Sequence, residues 1–159
     1  MASNANFISQ FVMGGDPCTY KESGELQAEM SKLTHPARPD VDWRQVEKLS
    51  LALFRQNGVE LQTLVCYVLA ITRRQGLAGM ADGLGSLDIL LQRWADFWPV
   101  QVHSRISLLS WVTEKMQQAL RTLDIQYQDL PQIYRCVQHL SAIETTLQQC
   151  ELWHMTKLD

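Results

Sequence analysis

Two short pairs of metal-binding residue types stand near the C-terminal end of this chain, Cys136-x-x-His139 and Cys150-x-x-x-His154. Thiolate and imidazole in a set of four suit tetrahedral zinc. Nothing between Gln132 and Trp153 breaks a helix, so both pairs fall on one rod. At 1.5 Å per residue, His139 and Cys150 are roughly 16 Å apart along it. One zinc ion holds every ligand within about 2.0–2.3 Å. The expectation is therefore no structural metal and no cofactor.

The glycines of Gly76-Leu77-Ala78-Gly79-Met80-Ala81-Asp82-Gly83-Leu84-Gly85 suggest a phosphate cradle at first sight. A P-loop needs Gly-Lys-Ser/Thr at its end, because the lysine neutralises the phosphates. No lysine lies between Lys48 and Lys115. A dinucleotide fingerprint needs a preceding strand, and an apolar helix pattern precedes this cluster. Gly76, Gly79 and Gly83 read instead as a tight turn and a close helix approach. Neither a G-x-S-x-G elbow nor an H-E-x-x-H pair occurs. Cys66 lies within the most apolar helix pattern, where burial makes a thiol inert. His35 and His103 fall in loops without an obvious partner. The chain reads as no enzyme.

The elements that carry these residues follow from periodicity. The chain has 159 residues, 46% of them hydrophobic and 19% charged, and a net charge of −3 with pI about 5.8. That is one domain's length and apolar enough to fold. The acidic balance argues against nucleic-acid and anionic-membrane binding, which need a basic face. Four cysteines without a C-x-x-C pair read as free thiols in a reducing cytoplasm. No secretory signal and no span-length apolar run is present.

Helical spacing recurs in six segments and no strand signal appears. A first helix is expected from Asp16-Pro17 to about Leu33, a second from the Asp42 cap to Asn57-Gly58, and a third over Val59 to Gln75. The third is apolar nearly all round, which places it centrally. Its charges, Glu60 first and Arg73-Arg74 last, match the helix macrodipole. A fourth helix is expected to open in the glycine cluster, continue through Trp94 and end before Pro99. A fifth covers about Val102 to Leu123, and a sixth starts at Asp129-Leu130-Pro131. The fold class is an all-α bundle of about six helices around a central apolar one. Residues 1–15 read as an N-terminal extension and 16–159 as a single helical domain.

Of the five tryptophans, Trp43, Trp94 and Trp111 fall on apolar stripes and are expected to pack inside. Trp98, locked by Pro99, and Trp153, near the final residue, are the candidate interface anchors.

In this order the features resemble one family, the ImpA-type N-terminal domain of the TssA-like proteins of the bacterial type VI secretion system. The resemblance is carried by Asp16-Pro17 with Tyr20 and Leu26, then Asp42-Trp43-x-x-Val46, then Leu61. It continues in Gly76-x-x-Gly79-Met80-x-Asp82-Gly83-Leu84, in Trp94 leading to Trp98-Pro99, in Arg105 and in Ser110-Trp111. It spans residues 16 to 112. Many members carry a basic residue and then Asp-Leu-Arg where this chain has Val59-Glu60-Leu61-Gln62. That divergence is similar to the longer, membrane-associated TagA or VasL type.

The resemblance implies a non-enzymatic assembly module. Its expected partners are the sheath, tail-tube, baseplate or membrane-complex proteins of the secretion apparatus, and its role is to control sheath assembly or hold the distal sheath end. It also implies a cytoplasmic N-terminal fragment of a longer protein, anchored at the inner membrane in the TagA-like type. Oligomerisation would then reside in a missing C-terminal region, leaving this piece largely monomeric and without membrane contact of its own. The competing reading is a helical regulatory domain that binds a small ligand between helices.

Overall fold

The computed structural model describes residues 10–37, 39–93, 99 and 101–157, with backbone alone over 150–157. Among the described residues there are six α-helices: α1 (Lys21–Met30), α2 (Trp43–Gln56), α3 (Leu61–Gln75), α4 (Leu77–Leu91), α5 (Val102–Thr122) and α6 (Leu130–Lys157). The fold is an all-α bundle. One isolated parallel bridge joins Met13 to Val59.

Local chemistry sets most helix ends. The Asp42 carboxylate accepts from the Gln45 amide at 3.1 Å and starts α2. At the junction of α3 and α4 a single residue, Gly76, takes φ +66°, a conformation that costs a side-chain-bearing residue energy but not glycine. Its amide closes α3 on the Thr72 carbonyl while its own carbonyl accepts from Met80. One residue thus ends one helix and starts the next.

Helix α3 is the hub. Every residue from Thr63 to Thr72 is buried, because α2, α4 and α5 all pack on it. Helix α6 closes the far side against α4 and α5, and α1 leans on α2. The main core joins Phe54, Leu64, Val68, Met80, Leu84, Leu87, Leu109, Val112, Met116 and Ile143. A second cluster under α1 holds Leu26, Val46, Leu49, Leu53, Cys66 and Ala70. Phe54 and Tyr67 meet edge to face with ring centres 5.6 Å apart.

Three elements differ from their sequence reading. The first helix is broken: a 3-10 turn, Pro17–Thr19, sits under the Asp16 cap, then α1, then a second 3-10 turn, Ser31–Leu33. The break falls at Tyr20, whose backbone is extended at φ −90°, ψ 139°. Helix α3 begins at Leu61 instead of Val59, because Val59 is held in extended pairing by Val12 and Gly14, each at 2.8 Å. Helix α4 stops at Leu91, earlier than the sequence reading has it, and Trp94 lies outside the described residues. The last turn of α4 tightens as the Arg93 amide bonds the Leu90 carbonyl at 2.9 Å. The pairing at Val59 also brings the segment from Phe11 to Gly15 onto the bundle. Phe11 stacks near Phe54 at 5.7 Å, and Asn57 Nδ2 donates to the Gly15 carbonyl at 2.9 Å.

Candidate functional site

Several of the residues singled out from the sequence, Glu60, Leu61, Arg73, Arg74 and Gly76, lie at the two ends of α3. At its N-terminal end Glu60 is the cap. Its two carboxylate oxygens accept from the Gln62 amide at 2.7 Å and the Thr63 amide at 2.9 Å. These are orphan donors of a helix start. The side chain is fully buried. Desolvation outweighs those hydrogen bonds and pushes the carboxyl up to about 7, with the Asp16 carboxylate adding in the same direction. The sequence reading placed Glu60 at the helix start as a dipole partner. Its neighbour Val59 pairs with Val12 and Gly14, far away in sequence.

At the C-terminal end, Arg73 lies over the Trp43 ring at 5.6 Å from its centre. Arg74 is ion-paired with Glu47. Both arginines therefore tie α3 to α2 besides meeting the helix dipole. Trp43 is half-buried and packs against both clusters. Leu61 and Leu84 are fully buried.

The glycines of the cluster lie on α4 against α3. A Cβ on Gly79 would sit 2.2 Å from the Ile71 carbonyl oxygen. One on Gly83 would meet Val68 Cγ1 at 2.9 Å. Both positions are thus filled by the neighbouring helix, with no phosphate-sized space beside them. Arg105 is buried at the start of α5, and its Nε donates to the Pro99 carbonyl at 2.6 Å. Replacing Arg105 with methionine keeps the bulk and removes that charge-assisted bond, so a loss of about 2 kcal/mol is expected. Urea unfolding measures it; a loss near zero would show that the bond is dispensable.

Trp111 lies half-buried in a groove among α1, α3 and α5. There Gln27, Met30, Gln62, Val65, Cys66, Ser107, Leu108 and Trp111 enclose about 330 Å³. A second depression of about 400 Å³ adjoins it, sharing Gln62, Ser107 and Leu108 and reaching Pro99, Gln101 and His103. Burial pushes the Cys66 thiol up to about 12, so it is no nucleophile near neutrality. Trp94 and Trp98 lie outside the described residues. Trp153 falls on α6, and its side chain lies outside them.

Helix α6 runs unbroken from Leu130 to Lys157, which keeps the two Cys/His pairs apart along one rod. Cys136 Sγ approaches the Leu77 carbonyl at 3.9 Å. His139 is joined to Asp88 on α4, and Arg135 reaches Asp82 on the same helix at 3.6 Å. Among the described residues no group of three or more His, Cys, Asp or Glu could hold a metal ion. The α4–α6 polar contacts left no signal in the sequence, because the partners are about fifty residues apart and no local spacing links them.

The helical hub is thus clamped at both ends and flanked by two side-by-side surface depressions. A family model described as ImpA, N-terminal, type VI secretion system matches residues 8–114. The chain belongs to that family. No curated protein and no solved structure matches it. Among the described residues no helix is long and apolar enough to cross a membrane.

Proposed function

We propose that the domain is a non-enzymatic assembly module of a type VI secretion system, recognising one or more sheath, tail-tube, baseplate or membrane-complex proteins by surface complementarity. The family match over residues 8–114 carries this reading. It is supported by the way the conspicuous residues are used. Gly79, Gly83, Arg73 and Arg74 are engaged in holding helices together and Arg105 in holding the Pro99 backbone, which leaves the outer helix faces to partners. The finer role, starting sheath growth as in TssA types or holding the distal end as in TagA types, follows from which component is bound.

The test is affinity isolation of the intact protein from cells with an assembled secretion apparatus, with each secretion component quantified against a control strain lacking the apparatus. Enrichment of sheath or baseplate proteins is expected. Enrichment of none, with a thermal shift on a metabolite screen, would favour the small-ligand reading of the α1–α3–α5 groove instead. A true ligand at a hundred times its dissociation constant adds about 2.7 kcal/mol.

A further inference from the structure

Basic side chains are not spread evenly over this acidic chain. Arg44, Lys48 and Arg55 stand at i, i+4 and i+11 of α2, which at 3.6 residues per turn puts them within about 40° of one another. All three are exposed. Half-buried Leu51 lies on the same line between Lys48 and Arg55. Together with the Glu47–Arg74 pair they line a depression of about 230 Å³. Arg44, Lys48 and Arg55 make no ion pair with any described residue. Like charges at i and i+4 work against the helix that bears them. The bare Arg44–Lys48 pair is therefore a cost to α2 that carboxylates laid along it would relieve, whereas Arg55 lies in the last turn, where the helix dipole favours a cation.

We propose that this stripe docks an acidic, amphipathic segment of a protein partner. Carboxylates meet Arg44, Lys48 and Arg55, and an apolar side chain covers Leu51. The inference deepens the assembly reading and rests on it for the partner's place in the secretion apparatus. Three features favour a protein segment over an extended polyanion. The free cations span only about 16 Å of helix. The remaining surface belongs to a chain of net charge −3, which repels a polyanion beyond the stripe. An apolar contact sits in the middle of the row, where a phosphate backbone has nothing to offer it.

The variant Arg44→Gln/Lys48→Gln/Arg55→Gln leaves the Glu47–Arg74 pair in place. A control, Lys21→Gln/Arg93→Gln/Arg121→Gln, removes the same charge from exposed positions elsewhere. Two measurements are made on the intact protein, after circular-dichroism melts show all forms folded; if the triple variant is not, the single substitutions carry the comparison. The first is the quantified isolation described above. The stripe variant is expected to lose about tenfold of at least one identified secretion component that wild type and control retain. The second is anisotropy of a labelled amphipathic peptide with glutamate at i, i+4 and i+11 and leucine at i+7. It is expected to bind wild type about tenfold more tightly than its glutamine counterpart does, with the preference lost in the stripe variant.

Retention of every component together with equal peptide binding would overturn the stripe. So would stronger stripe-dependent binding to phosphatidylserine vesicles or duplex DNA than to the peptide. If wild type enriches no secretion component, the assembly reading fails, and the peptide measurement alone decides whether the stripe takes an acidic segment.

Discussion

Gly79→Ala is expected to be among the most damaging single-methyl changes in the bundle, lowering stability by roughly 2–4 kcal/mol. The added Cβ would stand 2.2 Å from the Ile71 carbonyl oxygen and 2.8 Å from its carbon. Those are backbone atoms of the buried hub, so relief requires α3 and α4 to separate. Alanine's better helix propensity returns about 1 kcal/mol and does not offset this. In thermal unfolding the loss corresponds to a fall of roughly 5–15 °C.

Gly83→Ala meets mainly the side-chain atoms Val68 Cγ1 at 2.9 Å and Ile71 Cδ1 at 3.2 Å. These can turn or shift, and a smaller loss of about 1–2 kcal/mol is expected. Gly24→Ala should act in the opposite sense. Gly24 lies within α1 with nothing within 4 Å of its would-be Cβ, so alanine should add about 0.5–1 kcal/mol. Equal effects at all three positions would mean that helix propensity, and not the α3–α4 approach, governs them.

The second large effect is a pH dependence centred on Glu60. Its carboxyl is raised from 4.5 to about 7 in the folded chain, so the folded state holds the proton more tightly than the unfolded state. Below 4.5 both states are protonated and the group costs nothing. Between 4.5 and about 7 the unfolded chain releases its proton first, and stability falls as pH rises. Above that window the full penalty, about 3 kcal/mol, is present.

Glu60→Gln removes the charge and keeps one oxygen acceptor, enough for one of the two cap amides, so it carries a pH-independent loss of one hydrogen bond. Its stability relative to wild type is expected to rise by about 3 kcal/mol between pH 4 and pH 8, from below wild type at the acid end. Denaturant unfolding of both proteins at a series of pH values measures the difference. A difference that stays constant across that range would show that Glu60 is ionised at no unusual cost.

Helix number, most helix ends and the central position of α3 were legible in the chain because their causes are local. Apolar spacing, Asp42 before Gln45 and Gly76 after Arg73-Arg74 act within a turn or two. Family membership was legible for a related reason. Its marks, from Asp42-Trp43 to Gly76-x-x-Gly79, are residues whose types are set by capping, turning and close packing. Where local signals competed with distant contacts the reading slipped. Val59 suits a helix start, yet pairing with Val12 and Gly14 holds it extended. Tyr20 fits an apolar helical stripe, yet its extended backbone divides the first helix in two.

The sequence by itself determined which segments are helices, which one lies innermost and to which family the chain belongs. Tertiary structure alone decided the state and use of the polar groups. It buried Glu60 and set Arg73 over Trp43. It also gave Arg74 to Glu47 while leaving Arg44, Lys48 and Arg55 beside them without an ion pair among the described residues. The reason is physical. Backbone periodicity is an energy of near neighbours along the chain. Desolvation and charge pairing depend on which atoms arrive from elsewhere, and no spacing within one helix records that.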